Sequence, residues 1–585
     1  MMVSAARPPE SAKAPLVGND PHAVGERGGT VPDRPHFRFW PKGVARELVV
    51  PQATLPEVLE LAARRYPDKA AIVYCGSALR YAELQHRVAA MSAWLRDTLA
   101  LKRGDRVLVA SQNCPQFVIA CYAILRAGGV VVPVNPMSKA QEVRYYAENS
   151  GARIAFVAQE LLEHFEPGLF DRIVVHAYSE AVGDTAGDEI PDWVLAPLRP
   201  ASRADCTGWD GVPATGDGID GDVLPTDLAM LPYTSGTTGH PKGCMHTHRT
   251  VIASLAASHV WKGLHCETVV LAVAPLFHML GLQNGMNMPI FLGGTSVMLP
   301  RWNPAVAARL IERHRVTAWT APPAMILDFF AEPEVARRDI SSLTLLSGGA
   351  AAMPEAVAAT LQQRWGITYN EGYGLTETAS FLQANPLARG KRQCLGIPAQ
   401  GVDTRIVDPQ TLQELAQGEV GELVTHAPQN TLGYWRNPQA DREAFFELEG
   451  KRFFRTGDLA CMDEEGYFFM RDRLKRMLNT SGYKVWPAEV ENMLYEHPAI
   501  HEACVIGVPD TRQGEAVKAI VSLKPGLRGE VQAQDIVEWA RGRMAVYKAP
   551  RFVEFMDALP KSGTGKILWR ELQEQHRAAA RKKSE

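Results

Sequence analysis

From Leu55 onward, helical apolar patterns alternate with short β-branched runs, and that rhythm restricts the chain to layered α/β architectures. Arg106-Val-Leu-Val-Ala110 reads as a strand, Phe117 to Arg126 as a helix, and Gly128-Gly-Val-Val-Val-Pro133 as the next strand. The alternation returns at Val316-Thr-Ala-Trp-Thr320 and at Leu343-Thr-Leu-Leu-Ser347. The latter runs into Gly348-Gly349 ahead of a helix expected to open at Pro354. Strand ends followed by glycine are where such sheets hold ligands.

At 585 residues and 46% hydrophobic content, the chain exceeds what one core organises, so at least two domains are expected. Residues 1–36, rich in Pro, Gly and Ala and lacking the apolar core of a secretory signal, read as a flexible tail. Residues 37–471 form the expected large domain. Composition then shifts through Arg471-Asp-Arg-Leu-Lys-Arg476, read as a hinge against the alternative of a solvated turn. Within 472–585, Val517 to Leu523 and Arg551 to Met556 read as strands and Val531 to Met544 as a helix, an α+β unit. Residues 180–222, crowded with Gly, Asp, Pro and Ala, read as an exposed connection long enough to carry a little structure of its own.

A net charge of −3 without a basic domain argues against nucleic acid as a partner, and charges interrupt every apolar window long enough to span a bilayer. The nine cysteines contain no Cys-x-x-Cys pair and read as reduced thiols, which suits a cytoplasmic enzyme better than a disulfide scaffold or a zinc module.

Tyr233-Thr-Ser-Gly-Thr-Thr-Gly-His-Pro-Lys-Gly243 packs hydroxyls, glycines and one lysine into a run suited to polyphosphate: free backbone N–H groups converge on anionic oxygens, and the lysine adds charge. A plain surface loop is the bland alternative. A P-loop fails on spacing, since Lys242 is preceded by Pro241 and followed by Gly243. Cys244 has no base beside it in sequence, so a nucleophilic role is not favoured.

Tyr369-Asn-Glu-Gly-Tyr-Gly-Leu-Thr-Glu-Thr378 brings together an aromatic ring for stacking on a base, glycines for close approach, and Glu377 for a hard cation. Arg455-Thr-Gly-Asp458 sets a carboxylate after a tight turn, able to accept from both ribose hydroxyls. Pro560-Lys-Ser-Gly-Thr-Gly-Lys566 resembles a P-loop, but Ile567 stands where the metal-binding Ser or Thr belongs. A cation delivered from a second domain accounts for it better. His246 and His248 lack an acidic or cysteine partner at metal-ligand spacing, so packing or hydrogen bonding is expected of them.

In order and spacing these four segments resemble the adenylate-forming superfamily of acyl-CoA synthetases, peptide-synthetase adenylation domains and beetle luciferases. Further matches fall at Pro275-Leu-Phe-His278, Gly421-Glu-Leu-Val424, Gly433-Tyr-Trp435 and Asp472-Arg-Leu-Lys475. The resemblance implies a large N-terminal domain of layered sheets with flanking helices and a β-subdomain, followed by a small mobile α+β domain. It also implies a two-step reaction: a carboxylate attacks the α-phosphate of ATP to give an acyl-adenylate and pyrophosphate, and a thiol then displaces AMP. ATP, Mg2+ and coenzyme A are the implied cofactors.

By the same resemblance, Thr234, Ser235, Gly236, Thr237, Thr238, Gly239 and Lys242 meet the phosphates, and Thr238 with Glu377 holds Mg2+. Gly349, Ala350, Glu371, Gly372, Tyr373 and Gly374 surround the nucleotide, with Tyr373 against adenine, Thr376 at the α-phosphate, and Asp458 and Arg473 on the ribose. Lys566 bridges ribose and the reacting carboxylate, Lys475 is the pivot of domain rotation, and Gly482 with Tyr483 faces the thiol. His278, Trp319, Ser347, Gly348 and Gly372 line the acid. Several thioester-forming relatives carry a lysine where this chain has Asn479, which puts one contact of the second step in doubt.

The lining positions are apolar or small, so a hydrophobic acid is expected, a medium- or long-chain fatty acid ahead of an aryl acid. Met279, Met286, Met288 and Trp319 would also accept a flat ring. Coenzyme A is the expected acceptor, a carrier protein its competitor, and a homodimer is left open. A catalytically silent nucleotide-binding regulator is disfavoured because Glu377, Asp458, Arg473 and Lys566 are all present.

Overall fold

Two large sheets with a helical layer between them dominate the computed structural model. It describes residues 34–584 apart from 185–189, 201–202, 213–221, 235–240, 350–352, 354, 475, 477, 481–482, 511–513, 525, 528 and 563–566. One sheet runs, in spatial order, His246–Thr247, Leu228–Met230, Val130–Val134, Arg106–Ala110, Ile154–Ala158, Arg172–His176, Cys206–Gly208. Its strands pair in parallel except at the His246–Thr247 edge. Every residue of Val130–Val134 is buried, as a parallel strand covered on both faces requires.

In the second sheet the order is Ile397–Pro398, Gln383–Ala384, Tyr369–Tyr373, Leu345–Gly348, Ala318–Thr320, Val269–Ala272, Thr295–Met298, Ala70–Tyr74, Ser77–Arg80. Its parallel centre gives way to antiparallel pairs at both edges. The expected strands and helices at 106–133, 316–320 and 343–347 are therefore present, with boundaries shifted by a residue or two. The helix expected from Pro354 runs over Glu355–Trp365, Pro354 itself lying outside the described residues.

The helix Pro115–Arg126 is wholly buried and apolar apart from Gln116 and Arg126 at its ends, which fits its place in the middle layer. Its Tyr122 hydroxyl donates to Asn287 Oδ1 at 3.0 Å, joining it to the helical segment 279–292 that packs on the second sheet. That segment opens as Met279–Gly281, widens into a π-type turn over Leu282–Asn287 and closes as Met288–Leu292. On the sheet's opposite face, Pro304–His314, Pro323–Ala331 and Glu355–Trp365 enclose a separate core around Trp319 and Phe329.

A third, mainly antiparallel sheet joins Asp403–Val407, Gly421–His426, Lys451–Met462 and Phe445–Leu448, with Phe468–Arg473 paired to Lys451–Met462. The C-terminal part builds its own sheet from Tyr483–Val485, Leu478–Thr480, Gly514–Leu523, Ile500–Asp510 and Phe552–Phe555 over an independent core. Val517 to Leu523 and Arg551 to Met556 are strands as expected, and the helix expected over 531–544 occupies Ala533–Arg541.

One expectation needs correction. The stretch 180–222 is not simply exposed: Cys206–Gly208 adds an edge strand beside Arg172–His176, and Val194 and Cys206 are buried. Three residues are too few to show strand periodicity in a turn-rich sequence. The charged run 471–476 departs from the solvated turn that is the alternative to a hinge. The buried Asp472 carboxylate accepts from Arg473 N and Ala488 N, and Arg476 pairs with Glu491 and donates to Val505 O. The strand Phe468–Arg473 runs through the expected 471/472 boundary.

Candidate functional site

The C-terminal edge of the second sheet, the hairpin framing the hydroxyl-rich run, and the third sheet converge on one place. Thr234 on Tyr233–Thr234 pairs with Lys242 on Lys242–Gly243, so a short antiparallel hairpin holds both ends of that run. The hairpin is anchored by Tyr233, whose hydroxyl donates to Asn149 Oδ1 at 2.6 Å, and by Tyr145, which donates to Pro241 O at 2.7 Å. Lys242 Nζ lies 5.1 Å from the centre of the Tyr434 ring, a cation over an aromatic face. Beside the hairpin a polar groove of about 190 Å³ is lined by Lys242, Arg436, Asn149 and Trp435 among others.

Tyr434 also reaches across to the strand-end motif: its hydroxyl donates to Glu377 Oε1 at 2.9 Å. Burial pushes the Glu377 carboxyl above the usual carboxylate range, opposed by backbone donation, by the Tyr434 hydroxyl and by the Arg473 cation. Glu377 sits in the tight turn Thr376–Thr378, followed by Ala379 and Ser380 at φ 47° and 82°, left-handed values that cost energy for residues with a Cβ. Hydrogen bonds hold the strained turn in place. His246 Nε2 meets Thr376 O at 2.7 Å, Ser254 Oγ donates to Ala379 O at 2.6 Å, Gln283 Nε2 donates to the same oxygen at 3.2 Å, and Thr431 N donates to Glu377 O at 2.7 Å.

Burial draws the His246 pKa down to about 4, so its ring is neutral at pH 7 and Nε2–H is the donor to Thr376 O. His248 is likewise drawn down to about 4 and accepts at Nδ1 from Leu55 N. The two histidines are hydrogen-bonded supports, as expected. Burial raises the Cys244 thiol well above its ordinary range, so it is no nucleophile at neutral pH.

One strand further on, Tyr373, Asp458 and Arg473 form a chain. The Tyr373 hydroxyl donates to Asp458 Oδ2 at 2.6 Å, and Arg473 Nε stands 3.0 Å from Asp458 Oδ1. Asp458 and Arg473 face each other as cross-strand partners, and the tight turn expected at 456–458 is instead a bulge inside the strand Lys451–Met462, where the left-handed Gly457 sits at the register shift against Gly421–His426. Asp458 is 1% exposed whereas the Arg473 side chain is 46% exposed, so the pair presents its cation outward.

Gly349 and Gly374 are required by space: a Cβ on the first would overlap Gly372 O, and on the second Ser380 O. The Glu371 carboxylate is buried and points to the backbone, accepting from Met353 N at 2.9 Å and Cys394 N at 3.4 Å. It thereby holds the main chain at Met353. An expectation of contact with a nucleotide therefore falls on its main chain and on Gly372, not on its side chain.

On the acid-lining side, His278 caps the segment 279–292, its Nδ1 accepting from Leu280 N at 3.2 Å. Thr320 and Ser347, cross-strand partners, meet through their hydroxyls at 3.0 Å, and Thr320 Oγ1 approaches Asn284 Oδ1 at 3.5 Å. Gly348 follows them on the same strand. Trp319 is a correction. It is wholly buried and stacks on Trp302 in the core under the opposite face of the sheet. Strand alternation turns neighbours to opposite faces, so it is Thr320, not Trp319, that faces the segment after His278.

Ser235, Gly236, Thr237, Thr238, Gly239, Ala350, Lys475, Gly482 and Lys566 lie outside the described residues, and Tyr483 is described only as part of its strand. Sequence reasoning gave no role to Tyr434, Thr431, Gln283 or Lys262. The Gly433-Tyr-Trp435 match was the available signal for Tyr434. Nothing local marks the others, whose partners lie 22 to 186 residues away.

This arrangement of sheets, hairpin and carboxylates defines a nucleotide-dependent acid-activating class of enzyme, and comparison with known proteins specifies it. The AMP-binding enzyme family matches residues 59–435, and the AMP-binding enzyme C-terminal domain matches residues 489–566. A long-chain-fatty-acid–CoA ligase of Bacillus subtilis (strain 168) is 33% identical over 564 residues, covering 93% of this chain and 98% of its own. A feruloyl-CoA synthase of Amycolatopsis sp is 34% identical over 508 residues, covering 86% and 96%. Among solved structures, the anthranilate CoA ligase AuaEII in complex with anthranoyl-AMP aligns with a TM-score of 0.78 at 26% identity, over 91% of this chain and 99% of that one. The chain belongs to the AMP-binding enzyme family. It is an AMP-forming acid–thiol ligase, activating a carboxylic acid with ATP through an acyl-adenylate. Among the described residues no helix is long and apolar enough to cross a membrane.

Proposed function

We propose that the acid is a medium- or long-chain fatty acid, that coenzyme A is the thiol, and that the residues gathered at the sheet edge carry the first step. The meeting of Tyr373, Asp458 and Arg473 with the Glu377–Tyr434 pair beside the Lys242 hairpin is the observation that carries the reading. An acid oxygen attacks the α-phosphorus and the bond to the β-phosphate oxygen breaks, leaving acyl-adenylate and pyrophosphate. Lys242 and the hydroxyl-rich run Thr234 to Gly239 follow the departing pyrophosphate. Thr376 donates to the α-phosphate, Tyr373 packs on adenine between Gly372 and Gly374, and Asp458 with Arg473 takes the ribose. Lys566 bridges ribose and attacking oxygen.

A half-buried carboxylate with one oxygen already held by a tyrosine fits a hard cation that keeps water and phosphate oxygens for most of its shell, as Mg2+ does. Glu377 with Thr238 would hold it, and bound there it would neutralise charge on the phosphate oxygens. Thioester formation follows rotation of the residues beyond Lys475 about that pivot, which turns Gly482 and Tyr483 toward the thiol. The thiolate attacks the acyl carbon and AMP leaves. Reduced thiols at all nine cysteines support a cytoplasmic site of action.

Tyr434→Phe tests the Glu377 assignment through pH. The hydroxyl helps hold the Glu377 carboxyl ionised, and the ionised form is lost as pH falls through its pKa. Without the hydroxyl that pKa rises, so the acid-side fall of pyrophosphate exchange begins at higher pH. The lost hydrogen bond to a charged group, about 1.5 kcal/mol, raises the KM for Mg-ATP about tenfold. A pH profile superimposable on that of the wild type counts against the role.

Substrate class is tested with an acid panel, ATP, Mg2+ and coenzyme A, reading AMP release. Aliphatic acids from ten to sixteen carbons are expected to exceed benzoate and cinnamate in kcat/KM by on the order of tenfold or more, since each buried methylene adds discrimination. Selective turnover of the aryl acids establishes the second reading, an aryl-acid ligase, which the feruloyl-CoA synthase relative supports.

A further inference from the structure

At the C-terminal end of the helix His248–Lys262 stands a lysine that the chemistry above does not use. Lys262 Nζ donates to Asn284 Oδ1 at 2.9 Å and lies 5.8 Å from the centre of the Phe381 ring. Among the described residues no carboxylate pairs with it, and burial alone draws its pKa down to about 8. A half-buried ammonium without a counter-charge loses hydration that Asn284 replaces only in part, since it offers three donors of which Asn284 takes one.

Its surroundings give that loss a purpose. Asn284 is carried on the helical segment that His278 caps, and its Oδ1 approaches Thr320 Oγ1, which in turn meets Ser347 Oγ. Phe381 follows directly on the strained turn that carries Glu377. The ammonium thus stands where the helix after His278, the strand ends at Thr320 and Ser347, and the stretch after Glu377 come together. A polar row, Lys262–Asn284–Thr320–Ser347, runs from it to the Gly348–Gly349 sheet end.

We propose that Lys262 is the selectivity-determining end of the acid compartment. Its ammonium, steadied by Asn284 and the Phe381 face, takes a hydrogen-bond acceptor oxygen carried by the acid's apolar body away from the reacting carboxyl. That oxygen belongs to a hydroxyl, a phenol or a second carboxylate. The inference rests on the acid-activating reading and narrows its substrate from any hydrophobic acid to an oxygenated one. A plain hydrocarbon tail reaching this point would cover the ammonium, strip its water and return no hydrogen bond, the situation in which sites reject an analogue most strongly.

Matched acids test it: dodecanoate, 12-hydroxydodecanoate and dodecanedioate in one series, cinnamate and 4-hydroxycinnamate in the other, each run with the wild type, Lys262→Met and Asn284→Ala. Acid-dependent AMP release is read as a ratio of oxygenated to unsubstituted acid on one preparation, so the folded fraction cancels. The wild type is expected to favour an oxygenated member by about tenfold or more in at least one series, and which member it favours distinguishes hydroxyl, phenol and carboxylate. Lys262→Met should bring that ratio to near unity or reverse it by raising turnover of the unsubstituted acid, with Asn284→Ala falling between. A wild type preferring the unsubstituted acid in both series, or a Lys262→Met ratio equal to the wild type's, overturns the Lys262 assignment alone. A wild type inert to every acid removes the acid-activating reading beneath it.

Discussion

Lys566→Ala is expected to lower acid-dependent exchange of pyrophosphate into ATP by about 10²–10³ while leaving thioester formation from pre-formed acyl-adenylate within about threefold. The asymmetry follows from where negative charge lies. In the first half-reaction the acid carboxylate must approach an already anionic α-phosphate, and a cation touching the attacking oxygen offsets that repulsion. In the second, the acyl carbon is activated and AMP is the leaving group, so the same cation has little left to neutralise. The bridge between Lys561 and Ile567, with Leu568 N donating to Pro560 O at 2.8 Å, joins the residues on either side of 563–566. In the proposed reaction the delivery of Lys566 goes with rotation of the C-terminal unit. Equal losses in both half-reactions would mean a structural role, and no loss in the first would remove Lys566 from the chemistry.

The parts of the site readable from sequence are those whose chemistry is local. Glycines at 349 and 374 mark close backbone approach, and the glycine of Thr456-Gly-Asp458 marks a left-handed position beside a carboxylate. Crowding and positive φ are decided by the glycine itself, so both signals survive, but whether Gly457 makes a turn or a bulge within the strand Lys451–Met462 depends on the partner strand. Trp319 shows the limit. Its neighbour Thr320 faces the site, and telling one from the other requires knowing which face of the central strand meets the helix 279–292. Alternation fixes only that the two differ.

Lys262 shows the converse. A lysine near a helix end reads as a solvent-exposed C-terminal residue favoured by the helix dipole. Only the packing of Asn284 and Phe381 over it reveals a cation that no carboxylate pairs with among the described residues. The fold itself was legible because parallel strands buried on both faces are continuous apolar runs, as Val130–Val134 is. The edge strand at 206–208 carries no such run, and the buried ion pair of Arg476 with Glu491 joins residues in different elements.

Asp458→Ala is expected to lower kcat/KM for ATP by about 10²–10³, with the KM for the acid changed by less than about threefold. Its carboxylate does three things: it accepts from Tyr373, it pairs with Arg473, and in the proposed reaction it takes the ribose hydroxyls. Removing one partner of a largely buried pair leaves the other uncompensated, a loss of about 3–5 kcal/mol when the pair is fully enclosed. The exposed guanidinium edge of Arg473 brings the expected value toward the lower end. Arg473 already feels the Glu377 carboxylate, so freed from Asp458 it will turn to that second anion and take an oxygen the metal would otherwise use. Asp458→Ala should accordingly weaken the response to Mg2+ as well as to ATP. Combining it with Arg473→Met should lose less than the sum of the two single losses, by about 1–3 kcal/mol of coupling. Strictly additive losses, or an acid KM that moves as far as the ATP KM, would show that the pair holds the strand and not the nucleotide.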